Sequence, residues 1–241
     1  MPRRPRPTLT DLPLHVVQRG NNRQPCFFTE EDYRFYLHWL KKGAEKYGCD
    51  LHAYVLMTNH VHLLLTPRRT DSASKLMQSL GRRYVQYINR FYKRSGTLWE
   101  GRFKASLINA DEYLYLCYRY IELNPVRAGI VTDPAEYEWS SYRHHALGEP
   151  NELIRDHALF LALGTEAKVR QQAYRALFRS ELEEEALTDI RKAVNQELIL
   201  GGGRFKGEIE RVLGKRIGPQ QQGRRKSKEG GVAGEQIGFT F

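Results

Sequence analysis

The stretch from Leu51 to Leu65 constrains the fold more than any other part of the chain. Leu51-His52-Ala53-Tyr54-Val55-Leu56-Met57 and His60-Val61-His62-Leu63-Leu64-Leu65 are apolar runs separated only by Thr58-Asn59. Residues 51–57 and 60–66 therefore predict two strands joined by a tight turn, with Pro67 closing the second. Successive side chains of a strand alternate between faces, so His60 and His62 share one face and Val61 takes the other. Two neutral imidazoles that close can grip one divalent metal. Taken alone, the pair favours a plainer reading, two sheet histidines capped by hydrogen bonds. A metal site needs a further ligand and a reactive group from elsewhere in the chain.

Leu14-His15-Val16-Val17-Gln18 predicts a first strand, with Arg19-Gly20-Asn21-Asn22-Arg23 as its polar exit. Thr29 can cap a helix from Glu30, with Asp32 completing the box; Tyr33, Tyr36, Leu37, Leu40 and Ala44 continue it to Gly48. A second helix is expected from about Ser72 to Arg94, on a stripe of Leu76, Leu80, Tyr84, Tyr87, Ile88 and Phe91, ending at Gly96. Phe103 to Ile108 reads as a fourth strand. Asp111 opens a third helix through Leu114, Leu116, Cys117, Tyr120 and Ile121. This order predicts an α+β fold: a ferredoxin-like (RRM-like) α/β sandwich, its helices on one face of an antiparallel sheet. Beyond Gly148 the pattern turns helical, over 152–163, 166–179, 181–200 and 205–213. The expected organisation is a basic arm (1–10), a catalytic domain (11–148), a helical DNA-binding or accessory extension (149–220) and a flexible tail (221–241).

Charge narrows the partner. The 241 residues carry a formal +10, and residues 1–150 hold 22 Lys+Arg against 15 Asp+Glu, +7 of that excess. Such a balance favours a polyanion, weakly when taken alone. No run of 18 apolar residues is present and the basic N-terminus leads into no signal-peptide core, so a membrane protein is not expected. Cys26, Cys49 and Cys117 are odd in number and widely spaced, which suits free thiols in a reducing cytoplasm.

The third helix carries Tyr113, Tyr115, Tyr118 and Tyr120, most of which read as packing or rim groups, with Tyr120 the candidate reactive group. Asn124 lies four positions after Tyr120, on the same helical face. Pro125 disfavours helical geometry at Asn124, so the helix either kinks there or ends with Asn124 turned inward. The rival reading has Asn124 capping the next turn, with Pro125 at its first position. A metal held by His60, His62 and Asn124 suits Mg²⁺ or Mn²⁺ polarising a phosphate, with Tyr120 attacking the phosphorus.

Four blocks carry a family resemblance over roughly residues 10–147. They are His15-Val16-Val17-Gln18-Arg19-Gly20-Asn21, Met57-Thr58-Asn59-His60-Val61-His62-Leu63-Leu64, Gly96-Thr97-Leu98-Trp99-Glu100-Gly101-Arg102-Phe103-Lys104, and Tyr118-Arg119-Tyr120-Ile121-Glu122-Leu123-Asn124-Pro125-Val126-Arg127-Ala128-Gly129, followed by Trp139-Ser140-Ser141-Tyr142. In these the chain resembles the REP-associated tyrosine transposases, relatives of the single-tyrosine HUH transposases of the smallest bacterial insertion sequences. The resemblance implies metal-binding His60 and His62, a nucleophile at Tyr120 and a third ligand at Asn124, where insertion-sequence relatives commonly carry glutamine. It further implies cleavage and rejoining of single-stranded DNA at imperfect palindromic hairpins. The products would be a 5′-phosphotyrosine and a free 3′-OH. A monomer is expected, with a dimer left open, in the cytoplasm at the nucleoid. The alternative is a degenerate relative that binds the hairpin without cutting it.

DNA contacts are expected independently of the resemblance. Arg82, Arg83, Arg90, Lys93, Arg94, Arg102 and Lys104 face one acid, Glu100, and alternate with Tyr84, Tyr87, Tyr92 and Trp99. Cations with interleaved aromatics fit a single strand whose bases stack. The competing view makes Tyr84, Tyr87 and Phe91 core. Arg3, Arg4 and Arg6 read as an arm along the phosphate backbone, and Arg19 and Asn21 as candidate sequence readers.

Overall fold

The computed structural model describes residues 9–218, so Arg3, Arg4 and Arg6 of the basic arm and the whole tail expected over 221–241 lie outside the described residues. The elements are β1 (Leu14–Arg19), α1 (Glu30–Tyr47), β2 (Cys49–Met57), β3 (His60–Pro67), α2 (Ser72–Phe91), β4 (Lys104–Ile108), α3 (Ala110–Glu122), α4 (Asn124–Arg127), α5 (Tyr142–Leu147), α6 (Ala158–Leu161), α7 (Ala167–Leu177), α8 (Glu184–Asn195), β5 (Ile199–Leu200) and α9 (Gly203–Leu213). The sheet order is β2-β3-β1-β4-β5. The first four strands are antiparallel, whereas β5 joins β4 in parallel. The fold is an α+β sandwich with a helical extension, as the element order predicts.

Three expectations need correction. Helices cover both faces of the sheet, not one. Leu14, Val16, Val61, Leu63 and Leu65 pack with Tyr36, Leu40, Leu76, Leu80 and Tyr84 of α1 and α2. Val55, Leu64 and Ile108 pack on the other face with Leu114, Cys117 and Ile121 of α3 and Leu187, Ile190 and Ala193 of α8. The strand alternation that separates His62 from Val61 thus feeds two cores. The helix expected over 181–200 ends at Asn195, and Ile199-Leu200 instead extends the sheet. Two residues are too few for an alternating pattern to show. Among the aromatics near the basic run, Tyr84 and Trp99 are core residues. Phe91 is the exposed one, at 63 %.

Local sequence explains the ends of the elements. The Asp32 carboxylate accepts the N–H groups of Phe28 and Thr29 at 2.8 and 3.1 Å, closing the first turn of α1. Gly48 ends that helix at φ 68°, a conformation that costs other residues more. Gly20 is required by close approach, since a Cβ there would stand 2.2 Å from the Gln24 carbonyl oxygen. The Gly96–Lys104 block folds back on the exit of β1: the N–H of Asn21 donates to the Leu98 carbonyl, and that of Glu100 to the Arg19 carbonyl. Trp139-Ser140-Ser141 seals the outer edge of β2, where the Leu56 N–H donates to the Trp139 carbonyl at 2.9 Å. Cys26, Cys49 and Cys117 are free and buried. Among the described residues, no helix is long and apolar enough to cross a membrane.

Candidate active site

Register places the histidine pair. Val17 stands opposite His62 and Arg19 opposite His60, so His15, Val17 and Arg19 share the face of both histidines. That face looks toward α3, and the last turn of α3 brings Tyr120 over it. The Tyr120 ring lies 5.6 Å from the His62 ring and 5.7 Å from the His15 ring, centroid to centroid. His60, His62, Tyr120 and Asn124 line one cavity of about 350 Å³, together with Val17, Arg19 and Arg127. The four sequence-predicted catalytic and metal residues therefore meet in a single pocket.

The break after α3 positions Asn124. The helix ends at Glu122, and a separate short turn starts at Asn124 with Pro125 in its first positions. Leu123 occupies the cap of that turn, so Asn124 is free for the pocket. Its Nδ2 reaches back 3.5 Å to the Tyr120 carbonyl. Ending the helix, rather than kinking it, turns the amide inward.

The electrostatics keep the imidazoles neutral. Burial pushes the His60 pKa down to about 4, with the Arg19 charge adding to the effect. Burial holds His62 well below its ordinary value, with His15 and His60 contributing, and pushes His15 down to about 3. Neutral imidazoles are the form that ligates metal. Each ligand candidate also has its Nδ1 engaged, by Asn59 Oδ1 at 2.6 Å for His60 and by His15 Nε2 at 2.8 Å for His62. Both Nε2 atoms are then left for an ion, the arrangement in which outer partners fix ligand orientation. Two imidazoles beside an amide oxygen fit a divalent cation.

Three residues of the pocket escape a reading of the sequence. Arg127 places its guanidinium 4.5 Å from the Tyr120 ring centroid, and its Nη2 donates to the Tyr120 carbonyl at 2.7 Å. Its Nη1 is buried without a partner. It lies three residues after Asn124, in the short turn that Asn124 opens, and that proximity is the signal that could have found it. Arg191 and Asn195 of α8 supply a wall of the pocket from the C-terminal extension; nothing in the amphipathic pattern of that helix marks them. Tyr118, two residues from Tyr120, points away into a fully buried cluster with His145 and Tyr174.

The predicted DNA-contact residues divide between locations. Arg82, Arg83 and Arg90 lie along α2, and Lys93 follows it. Arg82 and Arg102 line a second cavity, about 610 Å³, with Gln18, Gly81 and Trp99. Arg83 stacks over Trp39 at 4.1 Å, and Arg94 sits 5.6 Å from the Phe28 ring centre. Lys104 instead lies beside the first pocket, its Nζ 3.2 Å from Asn195 Oδ1. Arg19 lines the first pocket, whereas Asn21 sits in the 3-10 turn that follows β1 and is not among the residues lining it. On the far side of α3, His144, His145 and Asp156 form a separate set of metal-type side chains.

Residues 8–124 match the family model described as "Transposase IS200 like". A protein of Haemophilus influenzae named as a REP-associated tyrosine transposase is 26% identical over 119 residues, spanning 45% of this chain and 68% of the relative. A solved REP-associated tyrosine transposase bound to a REP hairpin shares the fold at a TM-score of 0.52, with 18% identity over 65% of this chain and 93% of the other. A transposase structure from Deinococcus radiodurans overlaps at a TM-score of 0.36, with 22% identity over 47% of this chain and 90% of the other. Over residues 8–124 the chain is thus similar to the IS200-like transposases, and it shares its fold with a solved REP-associated tyrosine transposase.

Proposed function

We propose that this protein cuts and rejoins single-stranded DNA beside REP-like palindromic hairpins through a covalent link to Tyr120. The observation that carries the reading is the convergence of His60, His62, Tyr120, Asn124 and Arg127 on one pocket. Tyr120 Oη attacks the phosphorus, the bond from phosphorus to the 3′ oxygen breaks, and that oxygen leaves as a 3′-OH after taking a proton. The DNA 5′-phosphate stays on Tyr120, so the phosphodiester's energy is kept for rejoining when a 3′-OH attacks in return. A Mg²⁺ or Mn²⁺ ion held by His60, His62 and Asn124 would supply Lewis-acid polarisation of the phosphate. Arg127 faces the developing negative charge with a buried, uncommitted N–H group. Arg19, Arg191 and Lys104 add positive charge around the pocket mouth.

Nucleophile and histidines come from one chain here, which supports a monomer with a complete site. Residues 149–218 act as an accessory extension whose α8 walls the pocket, and the substrate places the protein at the nucleoid. The alternative is a hairpin binder that no longer cuts; the presence of His60, His62, Tyr120 and Asn124 in one pocket favours cutting. The test is nicking of a labelled hairpin oligonucleotide with a single-stranded flank in Mn²⁺. Tyr120→Phe is expected to retain hairpin binding and lose nicking by about three orders of magnitude or more. Undiminished nicking by Tyr120→Phe, or by wild type in EDTA, would overturn the assignment.

A further inference from the structure

His144 and His145 lie in the last turn of α5, and Asp156 stands in the first loop of the C-terminal extension. One ligand atom of each lies within 4.8 Å of the other two. The rings already carry the outer contacts of a metal site. His144 Nδ1 meets the Glu149 carbonyl at 3.0 Å, and His145 Nδ1 meets Glu122 Oε1 at 2.9 Å. Glu122 is in turn fixed by the Ser141 hydroxyl at 2.6 Å and the Tyr174 hydroxyl at 2.7 Å. A carboxylate or carbonyl on Nδ1 sets the tautomer that offers Nε2 to an ion.

A second observation sets this group apart from a simple ion pair. His145 is 0 % exposed and its Nε2 has no hydrogen-bond partner. The contact of His144 Nε2 with Asp156 Oδ1 at 3.1 Å satisfies those two groups but leaves His145 Nε2 stranded. An unsatisfied buried ring nitrogen is costly, and a cation would relieve it. We propose that His144 Nε2, His145 Nε2 and an Asp156 oxygen bind one zinc-class divalent cation, with water as the fourth ligand. Two imidazoles and a carboxylate are a zinc donor set, and the partly exposed Asp156 gives the ion a way in. The ion pins the first segment of the extension to the end of α5. The site lies on the other face of α3 from Tyr120 and is independent of the DNA chemistry proposed there.

The experiment uses the full chain carrying His60→Ala and His62→Ala, so that the other pocket cannot hold metal. After EDTA treatment and dialysis, Zn²⁺ binding is read by calorimetry and by the melting temperature, with Co²⁺ as a spectroscopic probe. One equivalent is expected, with visible absorption of four-coordinate Co²⁺. A rise in melting temperature of about 5 °C or more is expected at Zn²⁺ a hundredfold above Kd. Adding His144→Gln and Asp156→Asn is expected to remove binding and the rise while the metal-free protein still melts cooperatively. His144→Gln alone is expected to weaken binding at least tenfold, which keeps the test valid if the combined variant unfolds. No Zn²⁺ bound by the parent, or equal Zn²⁺ bound after His144→Gln, would overturn the proposal.

Discussion

At the residue scale, His15 decides what His62 can do. If His15 Nε2 donates, His62 carries its proton on Nε2 and cannot hold a metal. If His62 Nδ1 donates, Nε2 is free. The account requires the second arrangement, so His15→Ala should weaken Mn²⁺ binding at His60 and His62 about 10–100-fold while the fold persists. Titration of Mn²⁺ against the variant, followed by water relaxation, checks this. His60, His62, Tyr120 and Asn124 were legible because each pairing is local, two residues apart on a strand or four on a helix. His15 reaches its partner only through the pairing of β1 with β3, and no local spacing announces that. His52 offers a separate test of burial. Its ring bonds the Arg155 carbonyl and the Thr66 hydroxyl, and burial pushes its pKa down to about 4 from an ordinary 6.5. Above 6.5 it is neutral folded or unfolded; between 6.5 and 4 only the unfolded chain takes the proton. Stability should therefore fall as pH drops through that window, by an amount on the order of 3 kcal/mol from this group. Urea midpoints between pH 7 and 4.5 measure it, and His52→Gln should flatten the curve.

At the scale of elements, the site depends on where helices stop. Pro125 ends α3 so that a new turn starts at Asn124, and the sequence carried that signal while leaving kink, stop and cap open. The hairpin of β2 and β3, the capped α1 and the Gly48 stop were legible because turn chemistry and periodicity agreed there. β5 was not, because Ile199-Leu200 continues the apolar stripe of α8 and its role comes from hydrogen bonds to β4. That pairing and the buried Ile190 tie the extension to α3 and the sheet. Ile190→Ala should cost about 2–5 kcal/mol and loosen the α8 wall that carries Arg191 and Asn195. Urea unfolding should remain a single transition, since Ile190 shares one core with Leu114 and Cys117. A separate early transition for the extension would show that this core is not continuous.

For the whole molecule, the run of cations from Arg82 to Lys104 becomes more than one surface. Alternation in β4 sends Lys104 to the side of Tyr120, while the α2 arginines cover the helical layer on the opposite side of the sheet. Sequence proximity cannot reveal that division, because it arises where the chain enters β4 after Phe103. Phosphate contacts carry affinity without sequence information, so Arg82→Ala with Arg83→Ala should weaken binding to matched and scrambled hairpins alike. The slope of log affinity against log salt should flatten by roughly 0.7–0.9 for each phosphate no longer neutralised. Titrations at several salt concentrations measure this. Weakening confined to the matched hairpin would instead make these arginines sequence readers.

The central claim, that Tyr120 is the nucleophile of the pocket, is tested most directly by mapping the covalent adduct. The chain holds 14 tyrosines, three of them, Tyr113, Tyr115 and Tyr118, close upstream of Tyr120. Wild-type protein is incubated with a hairpin oligonucleotide and Mn²⁺, the DNA is trimmed with nuclease, and proteolytic peptides are weighed. The account predicts a nucleotide remnant linked through a 5′-phosphate to Tyr120 alone, absent from Tyr120→Phe. A remnant on any other tyrosine, or nicked DNA with no protein adduct, would contradict it.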